Sequence, residues 1–350
     1  MFENKNSKKE DNDNKNIDNI SYPSGLSFYK DIVEDISFTE KFIVFKSIND
    51  IFTLVYIDEN NSIISYDLNN FKKLNEIKTE IQYNITDIKY NFDIKNKKDL
   101  IMITTYINEV QIWNINELEC LTKIEINNED GCHIYSCFCN YDNNLNIIIC
   151  KKYGSKYPFM IYDLAGTKIK EINNSYEYIS KMYSYYDDKL DNNYIIVTNN
   201  YINSFDLNAS KEYHEYQNEI KNNAIKNIII DNKEEIIKII ALTSSNIQIW
   251  NFNTEEKLFN IDFGLEGLNR INNISLWNSN FCLISIFHGE ENSTIIKLVD
   301  LKNGKIIKDL MKYENENLIS IDKISHESFG DAVLVSTNNG KIKMLLPIKN

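Results

Sequence analysis

The densest set of chemically capable side chains lies in "GCHIYSCFCN" (131–140), where Cys132, His133, Cys137 and Cys139 carry thiol and imidazole groups of the kind that ligate zinc. A tetrahedral centre needs those donors to converge. Cys137 and Cys139 are two residues apart, so on a strand they share one face and read as small apolar core groups, whereas Cys132 and His133 point opposite ways. No Cys-x-x-Cys spacing occurs. The remaining histidines, His214, His288 and His326, are scattered. Nucleophilic catalysis needs a base beside a nucleophile and oriented by a third group. His326, Glu327 and Ser328 are the only adjacent set, and neighbours on a strand face opposite ways. There is no Walker-type glycine loop and no Gly-x-Ser-x-Gly elbow, and ten glycines in 350 residues leave little backbone to cradle phosphate. No catalytic residue, metal or cofactor is expected, and the chain reads as non-enzymatic.

The elements that must position any site are strands. After residues 1–23, which are polar and charged and read as a disordered tail, the chain is dense in Ile, Val, Phe and Tyr. The apolar runs are short and alternating, with small polar breaks between them. The hydrophobic fraction of 43% is enough to fill a core, and 350 residues suit one large all-β domain. The formal net charge is −13, and Arg270 is the only arginine, which disfavours a nucleic-acid backbone as ligand. The N-terminal segment "MFENKNSKKEDNDNKN" reads as neither a signal nor an anchor, and no apolar run reaches membrane-spanning length. The six cysteines follow no disulfide spacing, so a reducing compartment, cytoplasmic or nuclear, is expected.

One pattern repeats. The segments "IISYDL" (63–68), "VQIWNI" (110–115), "FMIYDL" (159–164), "INSFDL" (202–207), "IQIWNF" (247–252), "IKLVDL" (296–301) and the degenerate "IKMLLP" (342–347) each close an alternating strand. The residue before the Asp/Asn falls at Tyr66, Trp113, Tyr162, Phe205, Trp250, Val299 and Leu345, at spacings of 47, 49, 43, 45, 49 and 46. A period in the forties with four short strands per unit is the pattern of propeller blades. These segments resemble the WD-repeat β-propeller family, in which Trp-Asp closes the third strand of each blade, and the resemblance covers nearly everything after the tail. It implies an all-β, seven-bladed β-propeller of four-stranded antiparallel blades over residues 24–350. The last blade ends directly after its third strand, so by the same resemblance "GLSFYKDI" (25–32) is its fourth strand and closes the ring.

The family's Gly-His, Ser/Thr, Asp and Trp network is incomplete in every blade: "GCH" precedes a blade with Tyr162 in place of Trp, and Ile107 stands where a turn Asp would fall in the blade of Thr105 and Trp113. Apolar packing must therefore hold the blades together. The Phe-Arg-Arg-Gly hallmark of phosphoinositide-binding propellers is missing, and Asn116 and Asn253 occupy positions where ubiquitin-ligase receptors carry Arg.

The function expected is a non-catalytic protein–protein interaction scaffold, a subunit of a larger assembly. The alternatives are a hydrolase or other enzyme working in the central channel, or a phosphoinositide-binding propeller. On the rim shared by the second-to-third-strand loops and the interblade loops, Asp58, Glu59, Glu80, Glu109, Glu129, Asp130, Glu290 and Glu291 are expected to gather, with Lys156 as the principal basic exception. Carboxylates around one mouth would favour basic partners. The opposite rim, with 93–99 and 231–235, mixes signs. In "YEYISKMYSYY" (176–186), Tyr176 and Tyr178 are candidates for an exposed aromatic anchor beside an otherwise ordinary strand. Of these, Glu109, Glu129, Asp130, Tyr176, Tyr178, Glu290 and Glu291 are the candidate partner-binding residues. Trp113 and Trp250 are expected between sheets, and Trp277, at the end of a first strand, is expected to matter less.

Overall fold

In a computed structural model, the described residues form twenty-eight strands in seven separate four-stranded antiparallel sheets arranged as a β-propeller. The structure describes residues 22–34, 42–81, 84–106, 109–126, 133–151, 156–174, 176, 178–199, 201–216, 224–326 and 330–348. The tail residues 1–21 lie outside them. Among the described residues there is no helix, and hence none long and apolar enough to cross a membrane.

Blade one comprises β2 (Ile43–Lys46), β3 (Phe52–Ile57), β4 (Ile63–Asp67) and β5 (Lys72–Ile77). Blade two holds β6 (Ile85–Asp93), β7 (Lys98–Thr105), β8 (Glu109–Asn114) and β9 (Glu119–Glu125). Blade three is β10 (Ile134–Tyr141), β11 (Asn144–Lys151), β12 (Phe159–Tyr162) and β13 (Lys168–Ile172). In blade four come β14 (Lys181–Asp187), β15 (Asn192–Thr198), β16 (Ile202–Asp206) and β17 (Lys211–Tyr216). Blade five has β18 (Asn227–Asp231), β19 (Lys238–Leu242), β20 (Asn246–Asn251) and β21 (Lys257–Asp262). Blade six is β22 (Arg270–Asn278), β23 (Phe281–His288), β24 (Ser293–Asp300) and β25 (Lys305–Glu314). Blade seven joins β26 (Leu318–His326), β27 (Gly330–Thr337) and β28 (Ile342–Ile348) to β1 (Gly25–Val33) from the other end of the chain. β1 pairs antiparallel with β28, Gly25 opposite Ile348 and Val33 opposite Ile342, so the ring closes as expected. Tyr22 and Pro23, assigned above to the tail, extend this packing: the Tyr22 ring lies 5.0 Å from that of Phe281, and Pro23 is buried.

The core is distributed. Among the described residues there are seven buried apolar clusters, one between each pair of neighbouring blades. This follows from strand alternation, because every sheet is covered on both faces and each face must be apolar. Trp113 (9% exposed) packs between blades one and two, and Trp250 (2%) between blades four and five. Trp277 is equally buried, between blades six and seven, which corrects the expectation that its place at the end of a first strand makes it peripheral.

The Asp or Asn that closes the third strand in blades one to six has a clear task. The side-chain oxygen of Asp67 accepts from the backbone N–H of Asn69 (2.8 Å) and Asn70 (3.1 Å), while Asn70 Nδ2 donates to its other oxygen at 2.7 Å. Asp300 with Asn303 repeats the arrangement, and so does Asp93, at the end of the first strand β6, with Asn96. Four residues after the capping Asp/Asn the backbone turns left-handed, at Phe71, Leu118, Ser210, Glu255 and Gly304 after third strands and at Lys97 and Asp191 after the first strands β6 and β14. Only one of those seven is glycine. Each of the others carries a conformational cost of about 1 kcal/mol, offset by the side-chain cap that holds the turn.

Opposite the aromatic or apolar residue that precedes the Asp/Asn, the outer strand bulges in every blade. The pairing skips Leu74, Leu121, Ile169, Tyr213, Leu258 and Ile307 in blades one to six, and Tyr29 in blade seven. All seven are large and apolar or aromatic. A bulge bends and twists the strand, and of the skipped residues Leu121, Tyr213 and Leu258 pack against the cores between blades.

Candidate interaction rim and central channel

The loops joining second to third strands, and those joining successive blades, share one rim. There the chain presents an aromatic cluster on blades two to four. Tyr106 lies in the turn after β7, and its ring meets His133 edge to face at 4.2 Å between centroids. His133 in turn stacks on Tyr135 at 6.3 Å. Burial raises the Tyr135 hydroxyl pKa, and Tyr178 and Tyr106 are near enough to add to the shift. Tyr178 is 56% exposed and Tyr106 is also exposed, so the cluster faces solvent.

The anchor expected at Tyr176 and Tyr178 is thereby halved. Tyr178 is exposed, but Tyr176 is buried against Phe159 (6.1 Å between centroids), in the core between blades three and four. Among the described residues its hydroxyl has no hydrogen-bond partner.

Glu109 also departs from expectation. It is the first residue of β8, not a loop charge, and is 5% exposed. Its carboxylate is tied to Lys123 (3.0 Å) and accepts from Gln111 Nε2 (3.1 Å), while Gln111 Oε1 accepts from Trp113 Nε1 at 2.8 Å. Glu109 thus helps to orient the tryptophan. Glu129 and Asp130 lie outside the described residues. Glu290 and Glu291 are exposed in the turn between β23 and β24, where Lys312 beside Glu291 holds its carboxyl below the usual carboxylate range. Blade five separates these two from Tyr178, so the structure does not bring the candidates together. Carboxylates are not confined to this rim either. Asp50, Glu117, Asp188, Asp191, Glu235 and Glu256 are exposed on the opposite one, in addition to the turn-capping aspartates there.

The innermost strands frame a central cavity of about 390 Å³. Phe42, Ile43, Val44, Ile88 and Phe138 supply apolar wall, and Lys89, Tyr183, Ser184 and Asp322 supply polar atoms. Lys89 spans three blades: its ammonium pairs with Asp87 (3.1 Å) and donates to the carbonyls of Ser136 on β10 and Met182 on β14 (3.0 Å). Burial pushes the Cys137 thiol up to about 11, so it is protonated at neutral pH. Cys137 and Cys139 face the apolar core between blades three and four, as their spacing implied, while His133 is on the rim. Cys132 lies outside the described residues. Among the described residues no group of three or more His, Cys, Asp or Glu is placed to hold a metal ion.

The other histidines sit at blade junctions. His214 bridges the Glu255 carboxylate and the Asn253 carbonyl (3.0 Å) in the next blade's turn, and His326 meets the Leu68 carbonyl at 3.1 Å. Glu327 and Ser328 lie outside the described residues. Asp322 and Lys89 escaped the sequence reading. A charged residue in the middle of a first strand, as in "LISIDKISH" (318–326), is the signal that marks them.

No protein-family model matches the chain, and none of the curated proteins matches it.

Proposed function

We propose that this protein is a non-catalytic scaffold of the WD-repeat kind, a rigid ring that holds other proteins within a larger assembly in the cytoplasm or nucleus. The observation that supports this best is the exposed Tyr106, His133 and Tyr178, grouped around the half-buried Tyr135 on one rim of a closed ring. Exposed aromatics with little conformational freedom are favoured as binding anchors. The ring's closure suits a platform, since rigid loops lose little entropy on binding. A net charge of −13 favours partners with basic surfaces. Against a channel enzyme stand the full engagement of Lys89 and the protonated Cys137 thiol.

The test is purification of the tagged protein from its native cells, followed by mass spectrometry of the co-purifying proteins. The double variant Tyr106→Ala/Tyr178→Ala should fold normally and lose a defined set of partners. Tyr186→Ala, exposed on the opposite rim, is the control. Loss of partners by the control, with none lost by the rim variant, would move the interaction surface to the other face.

A further inference from the structure

Asp322 lies in the middle of β26 and lines the central cavity. One carboxylate oxygen accepts from Ser275 Oγ at 3.2 Å on the neighbouring first strand, and Ser275 Oγ accepts from the Lys323 N–H at 2.9 Å. Among the described residues no cation pairs with it. The Lys323 ammonium is taken by Asp331 (2.7 Å), and Lys89, the other charged residue of the cavity wall, is taken by Asp87 and two carbonyls. Desolvation pushes the Asp322 carboxyl up to about 6, so a charge there is costly unless something neutralises it. The rest of the wall is largely apolar or aromatic: Phe42, Ile43, Val44, Ile88 and Phe138.

The geometry points to the central cavity as a binding site for an alkylammonium group, whose methylene stem lies against the apolar wall and whose ammonium pairs with the Asp322 carboxylate. A slender chain with a cationic head matches both features of the wall, because long cationic side chains bury their stems and keep their heads paired or hydrated. A neutral alcohol leaves the carboxylate uncompensated. An anion would meet Asp322 with no unengaged cation to balance it. The site does not depend on the rim reading, because a free amine needs no partner chain. The same chemistry comes from a small aliphatic amine or from a lysine of a bound polypeptide.

The experiment is calorimetric titration of the full chain with n-pentylammonium chloride, with an acetylated peptide carrying a single lysine, and with pentanol. Each is measured at about pH 8 and about pH 5, on either side of the carboxyl's titration. At the higher pH at least one of the two cations should bind saturably, and which one binds identifies the source. Binding should weaken about tenfold in Asp322→Asn and at the lower pH, and pentanol should bind worse than the amine. Thermal unfolding of Asp322→Asn confirms that the variant is folded. The site is overturned if neither cation binds saturably, if Asp322→Asn binds as the wild type does, or if pentanol binds as tightly as the amine.

Discussion

The Asp99 carboxylate of blade two accepts the backbone N–H of Ile48, in the first turn of blade one, at 2.9 Å. The same buried carboxylate accepts from the Tyr90 hydroxyl at 2.9 Å and Asn116 Nδ2 at 3.0 Å. One side chain thus fastens two blades and the turn that follows its own third strand. Removing it orphans three donors, at about 1–3 kcal/mol each. Asp99→Ala is expected to destabilise the protein by at least about 3 kcal/mol in denaturant unfolding. A loss below about 1 kcal/mol would mean that water replaces the carboxylate.

Ring closure makes a second prediction. Deleting residues 1–20 should leave the melting temperature nearly unchanged. Deleting residues 1–33 removes β1, exposes the edge of β28 and uncovers Leu26, Ile32 and Val33's partners in two interblade cores. That variant should unfold or aggregate. Equal melting temperatures for the two truncations would contradict the closure.

The tryptophans are expected to be alike. Trp113→Ala, Trp250→Ala and Trp277→Ala should each cost on the order of 3–5 kcal/mol, since all three fill interblade cores. The Lys323 ammonium, 5.3 Å from the Trp277 ring, adds a cation–π contact that, among the described residues, the other two lack. Chemical denaturation of the three variants side by side checks this, and a markedly milder Trp277→Ala would show that the blade six–seven interface relaxes around the loss.

Asp322 gives a pH dependence with a definite sign. Its folded pKa, about 6, lies above the ordinary aspartate value of 3.8. The folded state therefore holds a proton that the unfolded chain has released between those values. Stability from this group is full at acid pH and falls as pH rises towards about 6. Asp322→Asn should raise the melting temperature at about pH 7.5, by the equivalent of 1–3 kcal/mol, and leave it nearly unchanged at about pH 4. The difference between the two proteins, followed by differential scanning calorimetry, should grow across that window. A constant difference would assign the effect to packing instead.

The blade period was legible in the sequence because it is local chemistry repeated. A strand must alternate to face two apolar interfaces, and an Asp or Asn must cap a turn that ends in a left-handed residue. Tyr66 to Asp67, Trp113 to Asn114 and Trp250 to Asn251 could therefore be placed from spacing alone. The bulge residues, from Leu74 to Tyr29, were written there too, as a large apolar residue inside each outer strand, but only the pairing registers reveal that they are skipped. Burial of individual rim residues was not legible. Glu109 and Tyr176 read as exposed because charge and loop position suggest it, whereas the pairing of β8 with β9 sets Glu109 beside Lys123 and the packing of blade three on blade four covers Tyr176. The central cavity belongs wholly to the tertiary structure. Asp322, Lys89 and Phe42 are separated by tens to hundreds of residues, and only closure of the ring, by pairing the first strand with the last, places them around one space.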